Sequence, residues 1–143
     1  MRSRRVKVIA EIGVNHNGSL PLAKELIASA KDVGADYVKF QTFQTEAGIC
    51  RVAPKASYQI ARTPANESQW QMLKRLELSY DDFGLIYKRC HDKGIDFLST
   101  PFDLESVDFL HKLGMGMWKV PSGEITNLPL LKKIGGYCQP VIV

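Results

Sequence analysis

A chain of 143 residues, 45% hydrophobic and 24% charged, suits one globular domain burying roughly two-thirds of its unfolded surface, and is too short for two ordinary domains. No run approaches the ~18 apolar residues of a membrane span, Val6 to Ile9 is too short for a signal-peptide core despite Arg2, Arg4 and Arg5, and the net charge of +4 is scattered without a base-reading motif, so neither a membrane nor a nucleic-acid partner is expected. Cys50, Cys90 and Cys138 are far apart and lack a C-x-x-C spacing, which reads as reduced thiols in a cytoplasmic protein.

Short β-branched runs then alternate with amphipathic helical patterns, as in parallel strands joined by crossover helices. Val6 to Ile12 reads as the first strand. Ser19 is a helix cap with Pro21 in the first turn, Leu22, Leu26, Ile27, Ala30 and Val33 recur at helical spacing, and Gly34 closes the element. Tyr37 to Gln41 is the second strand. The stretch to about Asn66 carries Gly48, Pro54 and Pro64 with no steady period, a length typical of lids or binding loops. Asn66 and Gln69 form a capping-box pattern opening a helix through Trp70, Leu73 and Leu76. Ser79 opens another through Phe83, Ile86, Tyr87 and Cys90 to Gly94.

Ile95 to Ser99 is a third strand, Asp103 caps a helix carrying Val107, Leu110 and Leu113, and Met117 to Val120 is a fourth strand. Asn127, with Pro129 behind it, opens a short helix ending at Gly135-Gly136, and Pro140 to Val143 begins a fifth strand. Such strands are buried on both faces in a doubly wound sheet or in a (β/α)8 barrel, and a barrel needs about 250 residues to close. Five strands would make just over half a barrel, so further residues or another chain are expected to cover the open edge.

Polar groups gather where the strands end. Glu11 follows strand one, Lys39 and Gln41 strand two, Ser99 and Thr100 strand three, and Lys119, Ser122 and Glu124 strand four. A lysine on a half-buried strand must place its ammonium somewhere polar, since an unpaired buried charge costs several kcal/mol. An anionic ligand would satisfy both lysines, and two ammonium groups with hydroxyls suit a phosphate ester carrying a carboxylate. Glu11 and Glu124 are the candidates for moving protons.

The turn Gly13-Val14-Asn15-His16-Asn17-Gly18 is neither a Walker A loop nor a dinucleotide fingerprint. His16 reads equally as a substrate contact or as a loop hydrogen-bonder. Asn15 and Asn17 suit backbone bonding within the turn. His91 and His111 read as solvated helix residues.

Several of these segments together resemble the sialic acid synthase family, which includes N-acetylneuraminate, legionaminate and pseudaminate synthases. They are Val8 to Ser19 (VIAEIGVNHNGS), Gly34-Ala35-Asp36 before Val38-Lys39-Phe40-Gln41-Thr42, Ser99-Thr100-Pro101-Phe102, and Lys119-Val120-Pro121-Ser122-Gly123-Glu124, in family order and spacing over essentially the whole chain. The resemblance implies a (β/α)8 TIM barrel, α/β in class. Residues 1–143 would supply about the first four βα units and the start of strand five, without the rest of the barrel or the C-terminal antifreeze-like domain.

The activity so implied is condensation of phosphoenolpyruvate with the open-chain form of N-acetylmannosamine or a related N-acylated amino sugar, giving N-acetylneuraminate or a related nonulosonate and phosphate. Lys39, Thr100, Lys119 and Ser122 correspond to phosphoenolpyruvate contacts. Glu11 matches a candidate general base, Glu124 a residue handling the intermediate, and Asn15, His16 and Gln41 are further substrate contacts to test. The family also implies a divalent cation, Mn2+ or Mg2+, held by histidines on later strands that this sequence does not contain, and a homodimer for the complete protein. This piece alone is expected to show little catalysis. Two rivals stand beside the synthase: a Schiff-base aldolase using Lys39 or Lys119 as nucleophile, and a non-catalytic half barrel that binds a partner.

Overall fold

The structure is a computed structural model describing residues 5–60 and 67–143. In chain order it contains β1 (Ile9–Gly13), α1 (Leu20–Asp32), β2 (Tyr37–Thr42), α2 (Thr45–Gly48), α3 (Ser57–Ile60), α4 (Gln69–Leu76), α5 (Tyr80–Lys93), β3 (Asp96–Pro101), α6 (Leu104–Leu113), β4 (Trp118–Lys119), a 3-10 turn at Ser122–Glu124, α7 (Leu128–Gly135) and β5 (Val141–Ile142).

The helices begin where local chemistry dictates. Ser19 Oγ accepts from the Leu22 amide, Ser79 and Asp82 form a reciprocal capping box, Asp103 accepts from the Ser106 amide and Asn127 from that of Leu130. Each side chain satisfies an amide that the helix leaves without an internal partner. Gly94 and Gly114 end α5 and α6 in the left-handed conformation. The capping box of α4 is formed by Ser68 and Gln71, two residues beyond the Asn66/Gln69 pattern. Asn66 and Pro64 lie outside the described residues.

The strands are parallel throughout. β1, β2 and β3 form one sheet in that order, and β4 and β5 form a second pair. β4 lies against β3 without a ladder, so the single five-stranded sheet expected from the sequence is interrupted here. Two features account for this. β4 is only two residues long, and the Ser99 amide is directed at the Met115 sulfur, 3.2 Å away, rather than at a strand carbonyl.

Helices α1 and α5, α5 and α6, and α6 and α7 are neighbours in sequence order. Their apolar faces meet one face of the strands. Ala23, Ile27 and Ala30 of α1, Phe83, Ile86 and Cys90 of α5, and Val107 and Leu110 of α6 join Val38, Phe40 and Phe97 in one core. Phe40 stacks on Phe97 and meets Phe83 edge-on. Full burial of such side chains contributes about 1.5–3 kcal/mol each.

Two sequence expectations fail at this level. Val33 is 84% exposed, because it stands at the C-cap of α1, past the turn that packs on the sheet. β1 starts at Ile9 rather than Val6, for the segment before it is fastened by Asp36, whose carboxylate accepts from the Val8 amide at 2.9 Å and pairs with Arg5 and Lys7. Among the described residues no helix is long and apolar enough to cross a membrane.

Candidate active site

β2 alternates half-buried and buried residues. Val38, Phe40 and Thr42 therefore face the helices, and Tyr37, Lys39 and Gln41 face the opposite side. Parallel register sets Lys39 beside Glu11 and Leu98, and Gln41 beside Thr100. The Lys39 ammonium reaches the Glu11 carboxylate at 2.5 Å and donates to Thr100 Oγ1 at 3.4 Å.

A register shift between Glu11 and Gly13 ends β1 and aims the chain into the following turn, as bulges do. Gly13 has φ +55°, and a Cβ there would stand 3.0 Å from Glu11 Oε1 and 3.5 Å from Gln41 Nε2. The glutamate carboxylate and the glutamine amide thus overhang one glycine. Glu11, Lys39, Gln41 and Thr100 form a polar cluster at the carboxyl end of three adjacent strands.

Lys119 is satisfied separately, by donating to the Val120 carbonyl at 2.5 Å. Both lysines accordingly have polar partners within the chain, a carboxylate for Lys39 and an uncharged carbonyl for Lys119. Ser122 is exposed in the 3-10 turn. Glu124 accepts from Asn127 Nδ2 at 2.7 Å and helps to line a groove of about 500 Å³ between the loops that follow β2, β3 and β4, with Gly48, Asp103, Glu105 and Asn127 on its walls. Glu11 and Glu124 occupy different surroundings.

His16 is 1% exposed and lies beside Phe40, on the helix-facing side of the sheet. Its Nδ1 accepts from the Gly18 amide at 3.1 Å, so the proton sits on Nε2, a buried atom without a hydrogen-bond partner. Burial pushes the imidazole pKa down, with the Gly13 backbone pulling weakly the other way, and the ring is neutral at physiological pH. This geometry gives His16 a role in the turn. Asn15 is exposed on that turn. His91 is solvated as expected, whereas His111, though exposed, stacks on Tyr137 at 3.8 Å between ring centres.

Residues 26–143 match the NeuB family. This chain belongs to that family. It is 52% identical over 143 residues to the N,N'-diacetyllegionaminic acid synthase of Campylobacter jejuni, covering 98% of this chain and 42% of that protein. It is 48% identical over 136 residues to the N,N'-diacetyllegionaminic acid synthase of Legionella pneumophila, covering 95% and 38%. Among solved structures it resembles the N-acetylneuraminic acid (sialic acid) synthetase of Leptospira borgpetersenii, at 30% identity and a TM-score of 0.78, over 95% of this chain and 43% of that one. The NeuB chain thus spans about two fifths of the length of the curated relatives it matches.

Within this NeuB chain, sequence reasoning missed the residues that hold the rim together. Asp103 was read only as a helix cap, and Glu77 and Asn127 were not linked to the site at all. Their partners lie on other elements, except for Asn127, whose i−3 spacing to Glu124 was a local signal. Among the described residues no three His, Cys, Asp or Glu side chains converge on one point. The described residues therefore do not by themselves fit a divalent-ion site.

Proposed function

We propose that residues 1–143 form the first part of a (β/α)8 synthase barrel that joins phosphoenolpyruvate to an open-chain N-acylated amino sugar, releasing phosphate and yielding a nonulosonate. The observation that carries this reading is the cluster of Glu11, Lys39, Gln41 and Thr100 at the carboxyl ends of adjacent parallel strands in a chain of the NeuB family. Active sites of (β/α)8 barrels lie at that end. Consecutive strand order with neighbouring helices along one face supports a barrel over a doubly wound sheet, whose strand order reverses.

In this reading the enolpyruvate methylene carbon attacks the sugar aldehyde, forming the carbon-carbon bond while the aldehyde oxygen gains a proton. Water adds to the carbon bearing the phosphate and loses a proton, and that carbon becomes a ketone as phosphate leaves. Lys39, Lys119, Thr100 and Ser122 hold the anion, with the phosphate or carboxylate of phosphoenolpyruvate replacing Glu11 and the Val120 carbonyl as lysine partners. Glu11, released from Lys39, and Glu124, steadied by Asn127, carry the protons. The names of the relatives at 52% and 48% identity favour a diacetylated legionaminate-type product.

The test is phosphate release by the intact protein with Mn2+ or Mg2+ and an N-acylated amino sugar. Release requiring both phosphoenolpyruvate and sugar is expected. A borohydride-trapped adduct on Lys39 or Lys119 would instead establish the Schiff-base aldolase.

A further inference from the structure

The short helix α2 starts without a cap of its own. Gln44, at its N-cap, makes no side-chain capping bond. Its first amides are taken by carboxylates from two other parts of the chain: Gln44 N donates to Asp103 Oδ2 and Thr45 N to Glu77 Oε2, each at 2.8 Å. Negative charge at this end of a helix is favourable, and charge-assisted bonds of this length are among the strong ones.

Asp103 belongs to the loop after β3. Its carboxylate is 9% exposed as a residue and also accepts from the Ser106 amide at 2.6 Å and the Ser106 hydroxyl at 2.8 Å. Glu77 lies just past α4, with its side chain 11% exposed and paired to Lys74 at 2.9 Å. Beside the Asp103 tie, the Phe102 amide donates to the Thr42 carbonyl at 3.1 Å, and Thr42 Oγ1 meets Ser99 Oγ at 2.7 Å. The start of the loop after β2 is thus bound to the loop after β3. Those two strands carry Lys39, Gln41 and Thr100.

We infer that Asp103 and Glu77 are positioning residues for the reaction proposed above. They fix the backbone at the end of β2 against the end of β3, so that the Lys39 ammonium, the Gln41 amide and the Thr100 hydroxyl meet the anion at set spacing. The inference rests on that functional reading, and it assigns neither residue a contact with the reacting atoms. Binding groups held to within ~0.5 Å need such support, because small misplacements cost large factors in rate.

Asp103→Asn separates the two duties of the carboxylate. An amide oxygen still accepts from Ser106 N, preserving the cap of α6, but the amide NH2 cannot accept from Gln44 N. In the intact protein, faster hydrogen exchange at the Gln44 amide is expected, with a KM for phosphoenolpyruvate raised on the order of tenfold or more and kcat changed less. Ser106→Ala, which removes the hydroxyl contacts to Asp103 Oδ2 and Tyr80 but leaves Asp103 Oδ2 as the acceptor for the Gln44 amide, should leave both constants in place. Should Asp103→Asn fail to fold, Glu77→Gln provides the same readouts at the Thr45 amide. Faster exchange with an unchanged KM, or an equal KM rise in Ser106→Ala, overturns the inference. If the unsubstituted protein releases no phosphate, the functional reading falls and takes this one with it; if only the variants match the unsubstituted protein, this one falls alone.

Discussion

Glu11 and Lys39 are register partners on neighbouring parallel strands, and their charged groups meet at 2.5 Å. The lysine side chain is 14% exposed and the glutamate 49%, so the carboxylate side of the pair is open to water. In the proposed reaction the incoming anion takes the place of Glu11 beside Lys39, so the largely buried ammonium keeps a counter-charge throughout, and the same event frees a carboxylate beside the ligand.

That relationship predicts opposite effects from its two halves. Lys39→Ala should weaken phosphoenolpyruvate binding to the intact protein by about tenfold or more, equivalent to ~1.4 kcal/mol. Glu11→Gln should bind it at least as well, having lost a competitor for the ammonium, while kcat falls. Calorimetric titration of phosphoenolpyruvate, followed by phosphate-release kinetics, checks both. Equal weakening by the two substitutions would mean that Glu11 positions Lys39 rather than competing with the ligand.

Lys119 calls for a separate prediction because its present partner is a carbonyl and not a carboxylate. Moving a lysine from a neutral acceptor to a charged one strengthens the bond. Lys119→Ala should accordingly weaken phosphoenolpyruvate binding by more than ~1.4 kcal/mol without a comparable loss of thermal stability. Unchanged binding in the same titration would remove Lys119 from the site.

The parts of this structure legible in the sequence are those decided within a few residues. Ser19, Ser79, Asp103 and Asn127 cap the next turn of chain, and each helix begins beside them. The strand-end residues could be named for the same reason, since a strand's end is local information. What joins them is not. Lys39 finds Glu11 through a register that no local pattern encodes, and Asp103 meets Gln44 59 residues away. The start of β1 was misplaced because Val6 and Val8 continue its alternation, while the residue that holds this segment, Asp36, precedes another strand. Val33 continued a helical period but falls beyond the last turn packed on the sheet.

Asp36 makes the N-terminal fastening sensitive to acid. The Val8 amide, helped by Arg5 and Lys7 and opposed by burial, lowers its pKa to about 2, against about 3.9 in an unfolded chain. A depressed acid contributes stability above its unfolded pKa and loses it as pH falls through the folded value. Stability should thus decline between about pH 4 and pH 2, and Asp36→Asn should flatten that part of the curve. Glu77 adds to the same slope: burial raises its pKa, yet hydrogen bonds from Thr45 and Lys74 together outweigh this and lower it. Denaturant melts at stepped pH test the sum, and an unaltered slope in Asp36→Asn would count against this account.

The three cysteines should differ sharply in reactivity. Cys90 is buried on α5, and burial pushes its thiol up to about 12, so almost none is thiolate at neutral pH. Cys50 and Cys138 are exposed. Brief alkylation of the native protein should label those two and spare Cys90, with full labelling only after denaturation; peptide mass mapping distinguishes the sites. Native labelling of Cys90 would show that α5 opens far more readily than its packing against Phe40 and Phe97 implies.

Gly18 tests whether the turn after β1 is seated as described. Its φ is +73°, and a Cβ there would overlap the Arg75 carbonyl oxygen in α4. Gly34 supplies the comparison, with φ +84° and open space around the same atom. Both Gly→Ala changes carry the left-handed penalty of about 1–2 kcal/mol, but only the first also drives the turn from α4, breaking the Gly18–His16 bond and disturbing the segment that leads to Glu77. Gly18→Ala should therefore destabilise the intact protein clearly more than Gly34→Ala in denaturant unfolding, and should raise the KM for phosphoenolpyruvate where Gly34→Ala does not. Equal costs would mean that the turn moves off α4 freely, and the route from the His16 turn through Glu77 to the Lys39 rim would carry no mechanical constraint.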